Sequence, residues 1–133
     1  MKVEMFVLCD AATEHMGKMN ILGTFDSIHA RQVPATHPLC AVAIRLRFER
    51  HERGDHRLRV NLIDADGQLV VPSLDAGLQV KFADDVSSYA INLILNLQGI
   101  RFTRFGEYSA DLILDGQPVA SLPLFIRQVP HPA

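Results

Sequence analysis

Residues 90–99 read AINLILNLQG, and the fold class turns on them. Ile91, Leu93, Leu95 and Leu97 alternate with Asn92, Ile94, Asn96 and Gln98. That period of two belongs to a β-strand with its odd-numbered face in a core. A helix would space its apolar residues by three and four, and no stretch of this chain holds that spacing beyond a turn or two. The even-numbered face poses a question, because asparagine is depleted in strands.

Working outward, the same alternation recurs along the chain. Strands are expected at 3–9, through 18–30, at 41–49 and 55–64, near 68–71 and 77–82, then at 89–98, 107–114 and 119–127. Gly23 lies where the second run changes phase, which predicts a β-bulge. Short strands at even spacing predict an all-β, antiparallel β-sandwich of about eight strands, immunoglobulin-like, C2-like or jelly-roll, filling 1–133 as one domain. Gly106-Glu107-Tyr108 opens a late strand with a tyrosine at inward parity, as in a tyrosine corner.

Composition agrees with a self-sufficient core. Of 133 residues, 48% are hydrophobic and 21% charged, which excludes disorder. Area scaling predicts a folded surface of roughly 7,000 Å². The formal charge of -2 gives no global pull toward nucleic acid or membrane. No apolar run reaches the length of a membrane span, and Glu4 and Asp10 interrupt the N-terminal one. With two cysteines, Cys9 and Cys40, and no secretory segment, a cytoplasmic protein with reduced thiols is expected.

The phrases FVLCDAA, GKMNILGTFDSI, HPLCAVAIRLRFE and NLILNLQGIRFTRFGEY, in that order and followed by LDGQ, resemble a bacterial family of small all-β proteins classed as a domain of unknown function. The resemblance spans essentially the whole chain. It implies a bacterial, free-standing domain and brings no activity, ligand or catalytic residue with it.

Two surfaces stand out as candidates. Residues 45–59, RLRFERHERGDHRLR, hold six of the ten arginines and carry net +3. A hairpin is expected from 41–49 and 55–64. If a three-residue loop, His51 to Arg53, closes it, Arg47 faces Arg57 and Arg45 faces Arg59, and a slip by two makes these pairs diagonal on the same face. Solvated ion pairs with Glu49 and Asp55 are the plain reading. An anion or acidic-partner site is the sharper one, since guanidinium forks suit carboxylate and phosphate. No outward aromatic is interleaved to stack bases, so nucleic acid is not expected. The second surface is the outward face of 90–99. Asn92, Ile94 and Asn96 there, joined by Ile113 on the following strand and by Phe125 or Val119 on the last, make a mixed apolar and amide patch. The plain reading of the amides is that they bond neighbouring side chains or close open backbone positions around a bulge. The sharper one is that the patch suits a protein interface, so a homodimer or another protein partner is expected.

Catalytic signatures are missing. The chain has no P-loop, G-x-G-x-x-G, G-x-S-x-G or H-E-x-x-H. Cys9 and Asp10 with His29 or His37 supply the residue types of a small hydrolase, and with His15 and Cys40 those of a metal site, but no close-spaced ligand pair supports either. Asp64, Asp66, Asp84 and Asp85 sit at loops where calcium binds in some sandwiches, without the EF-hand pattern. The expectation is a non-enzymatic binding or protein-interaction module without cofactor or metal. Its alternatives are a small-anion binder at the arginines and a small hydrolase or metal-dependent enzyme around Cys9.

Overall fold

The computed structural model describes residues 1–130; His131 and the two residues after it lie outside the described part. Nine strands form two packed sheets, a β-sandwich. They are β1 (Lys2–His15), β2 (Lys18–Thr24), β3 (Ser27–Ala30), β4 (Ala35–Glu49), β5 (Gly54–Ile63), β6 (Leu74–Val80), β7 (Ser88–Phe102), β8 (Gly106–Leu114) and β9 (Gln117–Gln128). The first sheet runs β2-β1-β4-β7, and the second runs β3-β9-β8-β5-β6. Pairing is antiparallel except between β3 and β9, which are parallel. The expected strand near 68–71 reduces to one bridge, Ile63 to Leu69.

Between the sheets, β4 supplies Val42, Ile44, Leu46 and Phe48, none with exposed surface. They face Leu58, Val60 and Leu62 of β5 and Tyr108, Ala110, Leu112 and Leu114 of β8 in one cluster. Each such large apolar side chain contributes about 1.5–3 kcal/mol of burial, before ordering entropy is set against it.

The hairpin expected from 41–49 and 55–64 is an inter-sheet crossing, and so is the link between the two strands expected to share the Ile94/Ile113 face. β4 belongs to the first sheet and β5 to the second, and likewise β7 and β8. The physical reason lies in the connections. Arg50–Glu52 wind into a single 3₁₀ turn, closed by a capping box in which Glu49 and Glu52 bond each other's backbone. That turn carries the chain across the gap between the sheets instead of folding it back in plane. After β7 the chain crosses again, and there the tyrosine corner forms as expected. The Tyr108 hydroxyl donates to the Arg104 carbonyl at 2.8 Å and accepts from the Arg104 amide at 3.3 Å.

Besides the register shifts between Val3 and Met5 and between Leu112 and Ile113, strand phase changes at two glycines. In the first sheet Gly99, with φ of 61°, lies between the pairs Leu39–Gln98 and His37–Ile100. Pro38 stands across from it, and beyond this point Ile100 and Phe102 turn inward and are buried. The second point is Gly23, with φ of 67°, where an added Cβ would collide with the Asp10 carboxylate. The predicted bulge is absent there, because Cys9–Thr24 and Ala11–Leu22 keep one register. The strand pair kinks instead of gaining a residue.

That kink shapes the molecule. β1 leaves β4 after the pair Cys9–Ala41, and its far half continues with β2 alone. The hairpin they make bends over the outer face of the first sheet. Cys9, Ala41 and Ala43 point outward yet are fully buried, under Ala12, Met19 and Ile21 and beside Val7 and Ile94. Three small side chains in a row let the hairpin lie close. At its tip the Gly17 carbonyl accepts a hydrogen bond from Asn92 Nδ2 at 3.1 Å, on the far side of β4.

Candidate interaction surface

The four arginines do not converge. Because β4 and β5 lie in different sheets, Arg45 and Arg47 occupy one outer face of the sandwich and Arg57 and Arg59 the other. A register shift between Val3 and Met5 sets Glu4 over the first pair. Its carboxylate takes Arg45 Nε at 2.9 Å and Arg47 Nε at 2.7 Å. The Arg47 hydrogen bond foremost, with Arg45, holds the Glu4 carboxyl below its ordinary range. The remaining arms are also used, Arg45 Nη1 on Asn92 Oδ1 and Arg47 Nη1 on Ser88 Oγ, both at 2.9 Å. A cavity of about 420 Å³ beside them is rimmed by Glu14, a carboxylate unsuited to an anion. On the opposite face Arg59 pairs with its cross-strand neighbour Asp75 at 2.7 Å, and Arg57 lies across from Gly77. The geometry is that of two separate ion-paired faces.

The amides divide in the same way. Asn92 is structural, tying Arg45 to the hairpin tip. Asn96 and Gln98 are exposed. The patch expected from Ile94 and Ile113 does not form, since β7 and β8 face opposite sides of the sandwich. Ile94 is half-buried beneath the β1–β2 hairpin. Ile113 is half-buried on the second sheet, across from Arg59 and Pro118. Val119 packs against the main core, and Phe125 carries the Arg127 guanidinium 4.6 Å from its ring centre.

Of the groups weighed for catalysis, Cys9 and Asp10 lie near enough to Cys40 to add to the rise that burial gives its pKa. His37 packs on Phe25, and its buried Nε2 has no hydrogen-bond partner among the described residues. Cys9 has no exposed surface and donates its thiol proton to the Ala41 carbonyl at 3.6 Å. Burial raises its pKa, and burial pushes Cys40 up to about 11. Both are free thiols, Cys9 under the hairpin and Cys40 in the inter-sheet core. His15, His29 and His51 are exposed. Asp64 and Asp66 are held by Arg104 at 3.2 and 2.9 Å, and Asp64 also caps the amides of Asp66 and Gln68. Those backbone bonds, Gln68 first, hold its carboxyl low. Asp64 and Asp66 thus work as turn residues. Among the described residues no three His, Cys, Asp or Glu side chains gather closely enough to hold a metal.

Sequence periodicity missed two features because it cannot rank strands within a sheet. One is a cleft of about 450 Å³ between β1 and β9, lined by Val7, Leu8, Thr24, Phe25, Asp26, Leu122 and Pro123. The other is the edge position of β7, whose full length pairs on one side with β4 alone. Edge strands are ordinarily blunted by charge, proline, shortness or a kink. Here β3 has 4 residues, β6 carries Asp75, β2 carries Lys18 and the Gly23 kink, and the open stretch of β9 carries Pro118 and Pro123. β7 runs for 15 residues, and residues 88–100 contain neither a charge nor a proline. Its inward Leu93 and Leu95 stay half-buried while their β4 partners Ile44 and Val42 are fully covered.

Among the described residues no helix is long and apolar enough to cross a membrane. Compared with curated proteins, the chain has no match. Residues 4–127 match DUF6941, a family of unknown function, and the chain therefore belongs to that family.

Proposed function

We propose that this protein is a non-catalytic protein-interaction module that recognises its partner by strand addition along β7. The observation carrying the reading is the long, uncharged, proline-free edge at residues 88–100. Backbone amides and carbonyls along such an edge bind an extended segment through main-chain hydrogen bonds, while side-chain pockets set specificity. The self-association expected on the sheet face moves to the sheet edge, because the hairpin already occupies the face at Ile94. The two ion-paired arginine faces offer a small anion no convergent set of donors. A thiol buried and bonded as Cys9 is suits packing better than nucleophilic attack. A cytoplasmic setting accords with the two free cysteines, and a bacterial one with the sequence resemblance.

The test is the intact mass of the protein isolated gently from its own source by native mass spectrometry. Alongside it goes a variant with charges on the edge, Asn96→Lys with Gln98→Lys. A complex with a second protein chain that the variant loses is the expected result. A lone 14.8 kDa chain, or a complex indifferent to the edge charges, contradicts the reading.

A further inference from the structure

The β7 edge also specifies what pairs with it. Residues 91–97 read INLILNL, a near-palindrome about Ile94. In an antiparallel pair with its two-fold axis at Ile94, Leu93 meets Leu95, Ile91 meets Leu97 and Asn92 meets Asn96 of the second copy. Apolar thus meets apolar on the inner face and amide meets amide on the outer. We infer that β7 pairs antiparallel with β7 of a second copy of this chain, centred on Ile94, joining the two first sheets into one continuous sheet across the dyad. The inference rests on the strand-addition reading above and names its partner.

Two observations favour a second copy over an unrelated strand. The register that matches faces also matches residue types at every position from 91 to 97. The half-buried Leu93 and Leu95 would gain the apolar neighbours that β4 cannot supply on its own. An isologous interface of this kind closes as a dimer and leaves β7 no free edge.

Asn92 remains available for the exchange. Its oxygen accepts from Arg45 and its nitrogen donates to Gly17, which leaves the amide one acceptor site and one donor. An Asn96→Lys change would place an ammonium beside that Asn92 and its attached Arg45, so repulsion adds to the lost amide contact.

Two measurements on the purified chain test this. The first is solution mass by sedimentation, for the native chain and for Asn96→Lys with Gln98→Lys. Both sites are exposed, and circular dichroism verifies that the variant stays folded. The second is the electron–electron distance in Gln98→Cys carrying a nitroxide label; native Cys9 and Cys40 are buried and stay unlabelled. With the dyad at Ile94, eight residue steps separate the two labels, roughly 27 Å at strand rise. A dyad one residue away would move this to about 20 or 34 Å.

The expected results are twice 14.8 kDa for the native chain, a single chain for the folded variant, and a distance near 27 Å. A dimer with another distance overturns the register. A native chain of single mass overturns self-pairing. In that case a two-protein complex in the gently isolated material keeps strand addition standing, and its absence removes both.

Discussion

Tyr108 shows how one side chain closes an arch. Its hydroxyl spans both backbone groups of Arg104 where the chain leaves the first sheet for the second. Tyr108→Phe keeps the ring against Phe102, whose centre lies 5.0 Å away, and removes both bonds. The expected cost is about 1–2 kcal/mol, read as a lower urea midpoint with unchanged slope; an unchanged midpoint would contradict the role. His56 works at the same scale. Its Nδ1 lies 2.6 Å from Asp115 Oδ2 and its Nε2 lies 2.6 Å from the Glu52 carbonyl, with Phe48 against the ring. A neutral imidazole donates once, while the imidazolium satisfies both acceptors. The Glu52 carbonyl first, then Asp115, therefore raises the His56 pKa above 6.5. A raised folded-state pKa contributes stability that is complete below 6.5 and lost as pH rises through the folded value. Denaturant titrations at about pH 6 and pH 8 should show the native chain losing stability relative to His56→Gln, whose site cannot titrate. Parallel pH dependence of the two proteins would exclude the clamp. The tyrosine corner was legible in the sequence from Gly106-Glu107-Tyr108 alone. The His56 bridge was not, because its partners lie 4 and 59 positions away on elements whose crossing the sequence does not announce.

At the scale of elements, the β1–β2 hairpin is the unexpected part. Its strands were visible as alternation and so was the phase change at Gly23, but that change was read as a bulge and not as a bend. Asp10 and Gly23 fold the hairpin over the sheet, while Gly99 across from Pro38 turns the inner face over within β4 and β7. Read by parity alone, Cys9, Ala41 and Ala43 are outward residues; they are buried because another part of the same chain lies on them. Ala43→Leu tests that arrangement. Overfilling a closed site costs about 1–3 kcal/mol and should speed proteolysis within the hairpin at residues 14–19. On an open sheet face the same change would be nearly neutral, and that outcome would remove the hairpin from its place. The edge character of β7 belongs to this scale too. The alternation 91–97 was plain, and its near-palindrome was there to be read. Its meaning depends on strand order, which local spacing does not carry.

For the whole molecule, the sandwich followed from period two, turn chemistry and composition, whereas the assignment of strands to sheets did not. A three-residue 3₁₀ turn that crosses between sheets and the Asp115-Gly116 turn that closes the β8–β9 hairpin are similar in length and polarity. The expectation that four arginines share one face failed on that point. So did the joining of Ile94 to Ile113. The accessible surface, 8087 Å², exceeds the roughly 7,000 Å² expected of a compact chain of this mass. Pairing along the open β7 edge would cover part of that surface. Amide hydrogen exchange along β7, followed at low and high protein concentration, shows whether that edge is a binding surface. If β7 is the interaction edge, alternate amides between residues 88 and 100, those pointing away from β4, become protected as concentration rises, and the edge charges of Asn96→Lys with Gln98→Lys abolish the effect. Exchange of those amides at one rate across all concentrations, and unchanged in the presence of any other protein from the source cell, would contradict it.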